Sequence, residues 1–200
     1  MKPILPLIVA LSATPCLAEE TRHVDAHEHG VGALDIAFDG SNIAMAFHAP
    51  GADIVGFEHA PHDPEDHAAI DTAIAILSDP LSLFTLSDDA GCTVVGALAE
   101  LEAEEDHDEE HDDDAHEDHD AEHEEHDHDN EHEEEAGHTE FHAEYALTCA
   151  DPSAINEITF AYFEAFENAR EVEVQIVTTS GAQAFEVTPE APTLDLSDLN

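Results

Sequence analysis

From Glu102 to His138 nearly every residue is Asp, Glu or His, and this run constrains how the rest of the chain can fold. Only Ala103, Ala115, Ala121, Asn130, Ala136 and Gly137 interrupt it. Without apolar periodicity the run cannot bury enough surface to offset the entropy lost on ordering. It is expected to be a disordered loop over 102–137, inserted into one folded domain made of 19–101 and 138–200. Hydrophobic residues still make up 42% of the chain, so the flanking segments can build a core.

The charge balance narrows function further. Fifty Asp plus Glu stand against three basic residues, Lys2, Arg22 and Arg170, for a formal net charge of −47. Holding a nucleic acid takes several phosphate-neutralising side chains, so nucleic acid is excluded as a partner. Anionic membrane surfaces repel such a chain for the same reason. With no Lys after position 2, Schiff-base and P-loop chemistry are absent too. A chain this acidic, with 17 His, attracts cations.

The N-terminus reads as a targeting segment. A positive start at Lys2, an apolar run from Ile4 to Ala13 and small residues at Cys16-Leu17-Ala18 describe a secretory signal peptide over 1–18. That run is too short to span a bilayer, which needs roughly 20 apolar residues. A lipoprotein anchored through Cys16 is the competing reading, but Pro15 makes a poor lipobox. Cleavage leaves Cys92 and Cys149 in an exported and therefore oxidising setting, where an even pair predicts one disulfide. A free dithiol or a Cys metal ligand is the alternative.

The flanking segments carry strand and helix signals. Leu34, Ile36 and Phe38 alternate with Asp35 and Ala37, Asp39-Gly40 marks a turn, and Ile43, Met45 and Phe47 alternate again. Asp63-Pro64-Glu65-Asp66 starts a helix whose apolar stripe is Ile70, Ala73, Ile74 and Leu77, ended by Ser78-Asp79-Pro80. Strands are predicted near 92–101, 140–149, 157–162, 171–178, 184–188 and 193–196. One principal helix among these strands gives an α+β fold with a mainly antiparallel sheet. The tract then joins the two strands that carry the cysteines.

Imidazole with carboxylate suits borderline divalent ions such as zinc, nickel and copper. The tract offers His107, His111, His116, His119, His123, His126, His128, His132 and, at its end, His138. Acidic spacers usually lack His, so the composition favours metal binding over a plain solvated spacer. The pattern H-x-x-E-H recurs at 107–111, 119–123 and 128–132, as composition alone produces. A metallopeptidase needs that motif on a helix lining a dry cleft. No enzyme is predicted.

The more specific signals lie outside the tract. His27 and His29 stand two apart before Gly30, and Glu58, His59 and His62 crowd one loop before the helix. His27, His29, Glu58 and His59 would form one compact site if their segments meet, with His138 and His142 the next candidates. His67 shares the side of Ile70 and Ile74, so packing is its expected role, and His48 carries no preference.

These residues resemble a known family. HEHG at 27–30, GADIVGFEHAP across 51–61, GC at 91–92, the His-rich insertion, HTEFHAEYALTCADP at 138–152 and VEVQIVTTSGAQ at 172–183 are similar to the ZrgA-type zinc-regulated periplasmic proteins. The resemblance implies a periplasmic zinc-binding protein that assists a zinc ABC importer. The alternative is a divalent-metal buffer or detoxification protein without a delivery partner. Zinc depletion should induce the first, and zinc excess the second.

Deleting residues 102 to 137 should leave a disulfide-bonded domain that unfolds cooperatively in urea, because the flanking segments carry all the apolar alternation. A deletion variant with no cooperative transition would make the tract structural.

Overall fold

The computed structural model describes residues 28–103 and 138–197. The signal peptide expected over 1–18 and residues 104–137 of the tract lie outside the described residues. Glu102 and Ala103, assigned to the tract by composition, close a strand instead.

The elements run β1 (Val31–Asp39), β2 (Asn42–Pro50), α1 (Gly51–Ile54), α2 (Pro64–Leu77), α3 (Pro80–Leu83), β3 (Phe84–Leu86) and β4 (Cys92–Ala103), then β5 (Thr139–Cys149), β6 (Glu157–Phe160), α4 (Tyr162–Ala165), β7 (Glu171–Thr178), β8 (Gly181–Val187) and β9 (Thr193–Asp195). The fold is α+β and mainly antiparallel, with one long helix, as expected. A six-stranded sheet has the order β4-β5-β2-β1-β7-β8, and a three-stranded sheet the order β3-β6-β9. Among the described residues only β1 and β7 pair in parallel, a contact between the two halves of the chain that local alternation could not reveal.

Local chemistry accounts for these elements. In β1, Leu34 and Ile36 are buried while Asp35 and Ala37 are exposed, the period-two pattern of a sheet with one covered face. Gly40 takes φ +59° in the short turn to β2, a backbone conformation that suits glycine. The Asp63 carboxylate caps α2 by accepting from the Glu65 and Asp66 N–H groups at 2.8 and 3.0 Å. The helix buries Ile70, Ala73 and Leu77 and lies against β4. His67 is exposed, so the packing expected of it does not occur; it sits one turn outside the buried stripe.

One core joins both sheets and the helices. Phe84 of β3 is its hub. Its ring centroid lies 5.5 Å from Phe47, 5.5 Å from Phe160 and 6.0 Å from Tyr162. Tyr162, expected at the end of a strand, opens α4 instead and is fully buried. A disulfide joins Cys92 to Cys149, residues directly opposite in the β4–β5 register. Chain-entropy arguments give roughly 4 kcal/mol for closing a loop of this size.

Because Phe84 ties the small sheet to the large one, Phe84→Ala should cost about 3–5 kcal/mol in urea unfolding. A loss under about 1 kcal/mol would mean that the two sheets hold together without that ring.

Candidate metal centre

The even-numbered residues of β5 point away from the core, because Phe141, Ala143, Tyr145 and Leu147 point into it. Glu140 and His142 therefore share the outer face. In β2, buried Phe47 and Ala49 flank His48, which puts His48 on that face too. The register sets His48 directly opposite His142, and on the other side of β5 it sets Glu102 of β4 opposite Glu140. Two imidazoles and a carboxylate thus converge at the end of the sheet where β4 leaves for the tract and β5 returns from it.

Glu140 Oε2 lies 2.6 Å from His142 Nε2 and 4.0 Å from His48 Nδ1. Glu102 Oε2 is 3.5 Å from the same His142 nitrogen. The two imidazole rings meet edge to face with centroids 4.3 Å apart. One ligand atom from each of His48, Glu140 and His142 lies within 4.8 Å of the others. Ligands around a tetrahedral zinc sit about 3.3 Å apart. Small rotations would therefore bring His48 closer and spread the Glu140–His142 pair to fit one ion. A cavity of about 90 Å³, lined by His48, His142, Glu100 and Glu102 among others, adjoins the cluster.

All three side chains are partly exposed, His48 by 39%, so an ion can reach them from solvent. Burial, and then the neighbouring His142, hold His48 below its ordinary range, which keeps its nitrogens available at neutral pH. Two nitrogens with one or two carboxylate oxygens suit zinc and its neighbours. Calcium, which takes six to eight oxygens, would find too few here.

A larger depression of about 780 Å³ lies on the same face, floored by Ala37, Ala44, Ala46 and Ala146. Its polar groups, Asp35, Glu144 and Gln175, include no His, so the metal chemistry belongs to the smaller cavity.

The residues singled out in the sequence are distributed unevenly. His142 lies in this cluster. Glu58 is brought to His29 and His138, each 2.9 Å from one of its oxygens, and not to His59 or His62. His59 stacks between Phe57 and His62, with centroids at 4.6 and 4.9 Å, and its Nδ1 donates to the Ala60 carbonyl at 2.9 Å. His27 lies outside the described residues, as do His107, His111, His116, His119, His123, His126, His128 and His132. Sequence reasoning passed over Glu140 and Glu102 and gave His48 no role. The signal was there in phase, since His138, Glu140 and His142 alternate with the core residues of β5.

The fold and this cluster define a β-rich protein with a candidate divalent-cation centre on an open sheet face. The family follows from comparison. Residues 26–196 match the model of the ZrgA family of zinc uptake proteins, and the chain belongs to that family. No curated protein matches it.

Proton and metal compete for the same nitrogens, so bound zinc should fall as pH drops from about 7 to 5.5. The lowered proton affinity of His48 delays protonation of that one ligand relative to an ordinary imidazole. The same shift predicts that the metal-free domain loses stability as pH falls from about 6.5 towards the lower folded-state value, since the unfolded chain takes up that proton first. Equilibrium dialysis at several pH values, with calcium in excess, checks the binding claim. Zinc binding that stays flat to pH 5, or that millimolar calcium displaces, would assign the ion to carboxylates alone.

Proposed function

We propose that this protein captures zinc in the periplasm and supports its uptake through an ABC importer. The observation that carries the reading is the convergence of His48, Glu140 and His142 on an open face of a ZrgA-family chain. The ion is cargo here and not a catalytic cofactor. Three protein ligands on a solvent-facing strand pair hold a cation while leaving a coordination position for exchange. The described part of the chain would then supply a defined centre, and the His-rich tract a high-capacity collector. Export through a cleaved signal peptide would place both outside the cytoplasm. Among the described residues no helix is long and apolar enough to cross a membrane.

The family's zinc uptake role favours a scavenger over a detoxification buffer. Replacing His48 and His142 together by Ala should weaken the tightest zinc step by tenfold or more, an estimate of order taken from metal-site substitutions. Competition of full-length protein with a chromogenic zinc chelator measures this. In cells, the wild-type gene should restore growth of a deletion strain under zinc chelation, and the double variant should not. Induction by zinc excess, with no growth defect under chelation, would support the buffer reading instead.

A further inference from the structure

The strand β4 is an edge of the large sheet. It pairs with β5 on one side and, among the described residues, with no strand on the other. Its 12 residues carry a long outer row of backbone N–H and C=O groups, a ready template for another strand. Four large hydrophobic residues are exposed among the described residues, and three of them lie on this strand. Val94 is 40% exposed, Val95 66% and Leu98 54%.

Folded proteins guard such edges with charged side chains, proline or bulges. From Cys92 to Ala99 there is no charged residue and no proline, in a chain with 50 acidic residues. A bulge is present between Val94 and Gly96, but it presents an apolar side chain and not a charge. Val95 has no partner on β5 there and is the most exposed of the three. The edge is also firmly held. Cys92 is bridged to Cys149, and the ladder with β5 continues from there to Ala103, so little ordering is needed before a second strand can add.

Charge decides what can lie on this edge. A basic partner finds no carboxylate to pair with between Cys92 and Ala99. The acids of β4, Glu100 and Glu102, stand at the end where the tract begins. A second copy, paired antiparallel about a two-fold axis at Val95, would set the neutral segment 92–98 against itself, with Cys92 opposite Leu98. Glu100 and Glu102 of each copy would then fall beyond the paired segment, at its opposite ends, and the two Ala103 ends would point apart. Parallel pairing would instead put like carboxylates side by side. The neutral half of β4 is therefore self-complementary, as a two-fold interface requires.

We propose that two copies of this chain join through β4, antiparallel, to make one continuous sheet across the pair. Backbone bonds along the edge hold the copies together, and Val94, Val95 and Leu98 of each lose water against the other. Segments this short make an interface at the small end of stable ones, so the pairing is weak and reversible. The proposal does not depend on zinc capture, because His48, Glu140 and His142 lie on β2 and β5.

Sedimentation velocity on the full-length, disulfide-bonded protein tests it, in the presence of a chelator so that metal cannot bridge two copies. From about 1 µM to about 500 µM the wild type should pass from monomer to dimer and stop there. Added salt should strengthen the dimer, since it screens the repulsion between two acidic copies that meet on a neutral edge. Val95→Asp/Leu98→Asp should weaken the dimer tenfold or more and leave the urea transition near wild type, because both side chains are exposed. Mixing that variant with Val95→Lys/Leu98→Lys should restore dimers, which a merely misfolded variant could not do. A wild type that stays monomeric throughout, or that grows into open-ended oligomers, would overturn the proposal. So would a dimer of undiminished strength in the Asp variant, or a mixture that stays monomeric.

Discussion

The antiparallel ladder between β4 and β5 has to hold against the tract that joins them. A run of carboxylates leaving one strand and returning to its neighbour repels itself just where the two strands must stay within hydrogen-bonding distance. The ladder holds because it is long and is locked at its far end. It runs from Cys92 opposite Cys149 to Ala103 opposite Thr139, with the disulfide at the end away from the tract. On its other side β5 is paired with β2 from Glu140 to Thr148. The strand that receives the returning chain is thus hydrogen-bonded on both sides, and the His48–Glu140–His142 cluster draws on its leading end.

That arrangement turns a charge problem into a site. Alternation along β5 sends Phe141, Ala143 and Tyr145 inward to the core around Phe84, and by the same geometry sends Glu140 and His142 outward. The core therefore fixes the direction of the ligands. His48 is held opposite His142 by the β2 register, and Phe47 beside it anchors that register by packing on Phe84 and Tyr162. Binding geometry and hydrophobic packing here are two faces of the same strands.

Much of this was legible in the sequence, and what was hidden was hidden for definite reasons. Local signals found the β1–β2 hairpin, the Asp63 cap of α2 and the Cys92–Cys149 pair, because each depends on residues close in sequence or on an even cysteine count. The parallel β1–β7 pairing and the short strand β3 depend on contacts made only after collapse. Tyr162 was read as strand because β-favouring aromatics surround it, yet burial against Phe47 and Phe84 places it in a helical turn. The site divides in the same way. His29, Glu58, His138 and His142 stood out by residue type, but His48 and Glu140 become ligands only through a register that sequence does not show. His59 stood out equally, and the structure stacks its ring between Phe57 and His62, away from this cluster.

The central claim is that imidazoles on the β2–β5 pair, and not carboxylates alone, hold the metal. Anomalous diffraction at the zinc edge, on crystals of the full-length protein grown with a small excess of zinc, tests it most directly. The account predicts density between His48 Nδ1, His142 Nε2 and a Glu140 oxygen, with the His48 ring drawn in from its 4.0 Å separation from Glu140. Density confined to carboxylate pairs, or no ordered zinc on β2 and β5, would contradict it.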